Sequence, residues 1–346
     1  MFIQKRFPLI LGIFLSSSTM LQNTSAQNIN TQLSVSAIQK ITFKNSDIRM
    51  VGNLFFPPNF DKKRKYPAIV VSHPWGGVKE QTSGLYAKKL AENGFITLAF
   101  DASHYGESGG EPRYLENPFE RVEDIRSAVD YLSTLPEVNS SQIGALGICA
   151  GGGYTLSAAQ TDNRIKAIAG VSTFDVGAFS REGLGTILTV SDEQRKKIMD
   201  EVGIQRTKEA RGEPARIDKL IASSSLDQST PNFFRESFDY YGTPRGQHPN
   251  STGNFRYISI SNQMAFYPFD HIDTLSPRPL LLIAGANAET LYYSKRAYEK
   301  AAEPKELMVI PKAYHFDLYD KPEYVNPSVH KLTEFFQKYL IAESKR

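Results

Sequence analysis

With 346 residues, 40% of them hydrophobic and 22% charged, the chain can bury a large core and fits a globular enzyme. The length suits either two domains or one continuous α/β domain carrying an insertion. The formal charge of +3 is spread without a long basic run, which gives no footing for nucleic-acid binding.

The N-terminus reads as a secretory signal. Lys5 and Arg6 precede an apolar stretch from Phe7 to Leu15, and a polar segment then ends in Thr24-Ser25-Ala26. The apolar run is far shorter than the ~20 residues a membrane span requires, so no stable membrane anchor is expected. Residues 1–26 are therefore expected to be cleaved, leaving a secreted or periplasmic protein. No cysteine follows the apolar run, which excludes lipoprotein processing. Cleavage removes two of the 40 basic residues and none of the 37 acidic ones, so the net charge falls to +1.

From there the pattern alternates. Strand-like runs occur at Lys40 to Phe43, Met50 to Phe56, Ala68 to Ser72, Ile96 to Phe100, Ile143 to Ile148 and Ile165 to Val171. Helical patterns lie between them at about 81–93, 119–135 and 150–160. The first two strands have no helix between them and are expected to pair antiparallel at one edge. The β-α-β-α-β-α-β order from Pro67 to Val171 predicts a parallel sheet with helices on both faces. After Val171 the rhythm breaks for about a hundred residues. A charged helical piece (Ser191 to Ser223) is followed by an aromatic piece rich in Asn, Pro and Gly (Thr230 to Asp273). A structureless loop of that length is improbable in a compact domain, so residues 172–278 are read as an inserted cap. The core is assigned to 27–171 and 279–346. It resumes with strands at Leu280 to Ala284 and Glu306 to Ile310, and helices at about 292–302 and 328–341.

One motif carries chemistry. Gly147-Ile148-Cys149-Ala150-Gly151, followed by Gly152-Gly153, forms a G-x-C-x-G elbow at a strand-to-helix junction. Glycines on both sides permit the tight backbone and lift the side chain between them toward a helix N-terminus. That environment is expected to promote a thiolate. Cys149 is also the only cysteine. A lone cysteine reads first as a small buried hydrophobe. In an exported chain, where cysteines are usually paired, an unpaired one flanked by such glycines reads as a nucleophile.

With these motifs placed, the chain resembles an α/β-hydrolase of the dienelactone-hydrolase and YcjY-like type, related to the X-Pro dipeptidyl-peptidase-like hydrolases. The resemblance covers about Lys40 to Leu340 outside the cap. It rests on His73-Pro74-Trp75-Gly76-Gly77, on the run from Asp101 to Gly110, on the elbow, and on Ala313-Tyr314-His315-Phe316-Asp317-Leu318-Tyr319. It implies the chain order nucleophile, acid, histidine. His315 then becomes the base, in a loop between the last strand and the final helix. His330 lies within that helix, and His73 precedes the nucleophile as the histidine that orders the oxyanion loop. The acid should lie in Gly285 to Thr290, where Glu289 is the only carboxylate; Asn287 and Asp175 are the alternatives. The oxyanion donors implied are the backbone N–H groups of Ala150 and Trp75. Asp101 and the turn from Gly106 to Gly110 read as scaffold bracing.

The reaction expected is a two-step acyl transfer through a thioester on Cys149, on an ester, lactone or thioester. The partner expected is a small-molecule acyl substrate. Aromatic residues of the cap, among them Phe233, Phe234, Tyr241 and Phe266, suit an apolar acyl group or form the cap's own core. Two other classes fit the same sequence: an acyltransferase, and a non-catalytic binding protein with a relic nucleophile. No metal-ligand spacing, phosphate loop or dinucleotide fingerprint occurs, so no cofactor is implied.

Overall fold

The computed structural model describes residues 37–220 and 226–342; the expected signal peptide at 1–26 lies outside them. Six strands come before the insertion: β1 (Ile38–Asn45), β2 (Ile48–Phe55), β3 (Tyr66–Ser72), β4 (Ile96–Asp101), β5 (Val138–Ile148) and β6 (Ile165–Val171). Three helices join the last four of them: α1 (Thr82–Glu92), α2 (Pro118–Thr134) and α3 (Ala150–Thr161). The insertion contributes α4 (Val176–Glu182), β7 (Gly183–Leu184), β8 (Leu188–Thr189), α5 (Asp192–Ala210), β9 (Ile217–Lys219), α6 (Asn232–Tyr241), β10 (Asn254–Arg256) and α7 (Ser259–Met264). The core resumes with β11 (Leu280–Gly285), α8 (Leu291–Lys300), β12 (Lys305–Ile310), α9 (Asp317–Asp320) and α10 (Pro322–Phe336).

Eight strands form one sheet in the order β1-β2-β4-β3-β5-β6-β11-β12. The β1–β2 and β2–β4 pairs are antiparallel and the rest are parallel. This mostly parallel sheet, covered by helices, is the α/β-hydrolase architecture that the resemblance implied. Strands β3 and β4 are buried along their whole length, as parallel strands covered on both faces must be. The β3-to-β4 crossover runs one way along the sheet, whereas those leaving β4, β5 and β11 run the other. Right-handed crossovers then put α1 on one face and α2, α3 and α8 on the opposite one. The reversal falls beside β3 and β5, so the loops leaving their carboxyl ends bound a crevice, the usual place for a ligand in such sheets.

Local sequence explains the boundaries. Helix α2 opens with Pro118 at its first turn and with the Asn117 side chain accepting from Phe119 N, the start signals of a helix. Helix α5 carries a full capping box between Ser191 and Gln194, and has almost no buried side chain. It ends before Gly212, whose φ of +85° only glycine adopts freely. The last helix begins at Pro322, six residues before the expected start. Pro322 sits where its missing N–H costs nothing, and the helix continues through Pro327 with the loss of one bond.

Candidate active site

Cys149 occupies the turn between β5 and α3 with φ +55° and ψ −124°, a strained conformation for any residue but glycine. The elbow is tied down on both sides. Its N–H donates to Val171 O at 3.0 Å, and its carbonyl accepts from Gly152 N at 2.8 Å and Phe174 N at 2.9 Å. At Gly151 a side chain would run into the carbonyl oxygens of Ser72 and His73. The glycines of the motif are thus demanded by close backbone approach.

Cys149 is 8% exposed and lines a cavity of about 240 Å³. Its floor is Cys149, and its walls are mostly aromatic: Trp75, Phe174, Phe233, Tyr241, Phe255 and Phe316. Phe233 and Tyr241 come from α6, Phe255 from β10 and Phe174 from the loop after β6. Phe266, by contrast, packs on Tyr154 and Phe119 away from the cavity. The insertion therefore supplies several of the walls over a floor made by the sheet.

Burial pushes the Cys149 thiol up to about 11, outweighing the hydrogen bonds of the Tyr319 hydroxyl and the Ala150 N–H, which pull the other way. This corrects the expectation that the elbow promotes a thiolate at rest. The N-terminus of α3 does favour the anion, but losing water costs the anion more. No cation makes up the difference, because burial also pushes the His315 imidazole down to about 3. Cys149 and His315 are both neutral in this geometry.

His315 follows β12 in the loop before α9 and is fully buried among Phe233, Phe316 and Tyr319. Its Nδ1 lies 2.6 Å from Thr290 Oγ1, and its Nε2 lies 3.2 Å from the Tyr319 hydroxyl. The three residues considered for the acid are engaged elsewhere. Glu289 Oε1 accepts from Phe233 N at 3.0 Å, at the start of α6. Asn287 Nδ2 donates to Lys312 O at the exposed edge. Asp175 caps α4 by accepting from Ala178 N at 2.8 Å, and burial raises its carboxyl to about 6. The group at Nδ1 is Thr290, which sequence reasoning missed: a hydroxyl carries no charge to single it out. Tyr319 was visible only as part of a motif. Its spacing, four residues beyond His315 across the turn of α9, is the signal that its hydroxyl could reach the ring.

The loop that carries Trp75 is fixed by buried polar groups. His73 Nε2 accepts from Ala102 N at 3.0 Å, so its Nδ1 bears the proton that is donated to Pro74 O at 2.6 Å. Burial holds the His73 pKa well below the usual range, so the ring stays in this tautomer. Arg121 Nη2 donates to His73 O at 2.7 Å, while Arg121 pairs with the buried carboxylate of Glu116. Farther along, Lys79 Nζ reaches Asp101 Oδ2 at 2.8 Å and Glu107 Oε2 at 2.6 Å. These contacts tie the loop after β3 to the loop after β4. The other histidines stand apart: buried His104 pairs with Glu120, His248 is half-buried and His271 exposed, and exposed His330 pairs with Glu334 within α10.

Comparison with known proteins agrees with this architecture. The dienelactone hydrolase family matches residues 55–173. YcjY of Escherichia coli K12 is 40% identical over 305 residues, covering 87% of this chain and 99% of YcjY. The crystal structure of PA2218 from Pseudomonas aeruginosa superposes with a TM-score of 0.82 at 39% identity, covering 93% of this chain and all of that one. More distant relatives include the thiohydrolase aneE of Aspergillus aculeatus, 26% identical over 63% of this chain and 69% of its own. The polyketide transferase claH of Penicillium crustosum is 25% identical over 81% of this chain and 91% of its own. The chain carries a dienelactone hydrolase family domain, belongs to one family with YcjY and PA2218, and is a hydrolase with the α/β-hydrolase fold.

Proposed function

We propose that the protein is an exported, cysteine-dependent acyl hydrolase that cleaves an ester, lactone or thioester through an acyl-Cys149 intermediate. The observation that carries this reading is the strained elbow of Cys149 at the floor of an aromatic cavity, with a buried neutral imidazole one hydroxyl away. His315 removes the thiol proton, the sulfur attacks the carbonyl carbon, and the N–H groups of Ala150 and Trp75 hold the oxyanion. Thr290 fixes the ring for this task. Glu289 supports the site by holding the first turn of α6, and so the position of Phe233. A thiolate leaves as readily as it attacks, so a tetrahedral adduct of an amide would expel sulfur before the amine. Esters and thioesters are therefore the substrates, and the aromatic walls fit an apolar acyl group. Export is supported by the order of charge, apolar run and small residues in 1–26.

The test is a panel of p-nitrophenyl esters and acyl thioesters, assayed with wild type, Cys149→Ala and Cys149→Ser. Cys149→Ala is expected to lose activity by on the order of 10³-fold or more, and the preferred esters should carry apolar acyl groups. Equal rates in all three proteins would refute the proposal. For export, the N-terminal sequence of protein recovered outside the cytoplasm should begin at Gln27, and an intact Met1 there would contradict cleavage.

A further inference from the structure

The hydroxyl of Tyr319 stands where a direct contact between nucleophile and base would be expected. No hydrogen bond joins Cys149 to His315 among the described residues. Tyr319 instead lies 3.2 Å from His315 Nε2 through its hydroxyl and lines the same cavity floor as Cys149, whose thiol it hydrogen-bonds. Neither ring is free to swing away. His315 is pinned at Nδ1 by Thr290 at 2.6 Å and flanked by Phe233 and Phe316. Tyr319 is fully buried, with Tyr240 edge-on at 5.0 Å and Phe316 at 4.8 Å. Its backbone N–H is held by Phe316 O at 3.1 Å. Burial keeps the phenol well above its usual pKa, so it is neutral and able both to accept and to donate a proton.

We propose that Tyr319 is a catalytic residue: the proton carrier between the Cys149 thiol and the His315 imidazole. The proposal rests on the reading of Cys149 as nucleophile. At rest the Tyr319 O–H donates to the sulfur; in the reacting arrangement it turns to Nε2, the thiol donates to the freed Tyr319 oxygen, and the Nδ1–H donates to Thr290 Oγ1. As sulfur attacks, the S–H bond breaks and its proton forms a new O–H bond on Tyr319. The original Tyr319 proton moves to Nε2. The phenol ends neutral, the imidazole becomes a cation, and the sulfur electron pair forms the bond to carbon while the carbonyl pair moves to oxygen. On collapse, the same path returns the proton to the leaving group. No charge sits on either Cys149 or His315 until the substrate carbonyl is present to take it. A resting thiol of this kind also resists oxidation, which acts on the thiolate.

The test is Tyr319→Phe, which keeps the ring and removes only the hydroxyl. The burst of acyl-enzyme formation from a p-nitrophenyl ester should slow by on the order of 10²-fold with KM changed less than about threefold. The proton inventory in mixed H₂O and D₂O should change from curved in wild type, with two protons moving, to linear. A second variant keeps the hydroxyl and so the packing: fluorotyrosine at 319, whose phenol is more acidic, should shift the burst rate in step with its acidity. A wild-type burst in Tyr319→Phe, or rates indifferent to phenol acidity, overturns the relay if Cys149→Ala is inactive. A Cys149→Ala protein as active as wild type overturns the nucleophile reading and the relay with it.

Discussion

At Nδ1 of His315 the decisive partner is a neutral hydroxyl, and this sets the residue-scale expectations. Thr290→Val keeps shape and removes the hydrogen bond at 2.6 Å. It should lower kcat on the order of tenfold or more, whereas Glu289→Gln, whose amide oxygen still accepts from Phe233 N–H, should leave kcat and KM nearly unchanged. Steady-state kinetics of the two variants check this, and the opposite ranking would make Glu289 the orienting group. The thiol gives a second expectation. With its pKa near 11, the thiolate fraction grows tenfold per pH unit below that value. Iodoacetamide labelling of Cys149 should therefore be slow at pH 7 and climb about tenfold per unit through pH 10. A plateau near pH 7 would mean a thiolate at rest. The placing of Cys149 in a strand-to-helix elbow and of His315 in the loop after the last strand was legible in the sequence because glycine spacing and chain order are local signals. Thr290 and the deprotonation state were not, because both depend on what packs around the groups.

Among the elements, the loop after β3 bears the most bracing. Burial would lower the pKa of the Lys79 ammonium, but the carboxylates of Asp101, Glu107 and Glu80 outweigh it and keep the charge. Lys79→Met leaves Asp101 buried without its cation, a change that typically costs about 3–5 kcal/mol. Urea unfolding should show that loss, and a change below about 1 kcal/mol would show that the network is not structural. The sheet elements were legible almost residue by residue: the expected strand Ile165 to Val171 is β6 itself. The insertion was legible only as a break in rhythm. Its short strands β7 to β10 are two or three residues long, below the length at which alternation is visible, and their pairing depends on distant partners. The start of α10 was missed for a different reason, since Pro327 reads as a helix stop.

Across the whole molecule, folding holds two histidines neutral in the interior. The pKa of His315 falls from 6.5 to about 3 on folding, and that of His73 also falls well below 6.5. A lowered pKa gives stability that is present above pH 6.5 and is lost as pH falls toward the folded value. Asp124 and Asp175, raised to about 6, and Glu236, raised to about 7, act in the opposite direction. The contribution of His315 is therefore isolated by difference. Between pH 6.5 and 4 the Tm of His315→Gln should fall less than that of wild type. Parallel Tm curves would show that the imidazole titrates freely in the folded state. The fold makes this buried pair useful only if Cys149 carries the acyl group during turnover. The most direct measurement is mass spectrometry of enzyme acid-quenched during turnover of a p-nitrophenyl ester and then digested. The account predicts one acyl mass on the peptide that contains Cys149, released by hydroxylamine and absent from Cys149→Ala. An unmodified Cys149 under steady turnover, with Cys149→Ala hydrolysing at the wild-type rate, would contradict it.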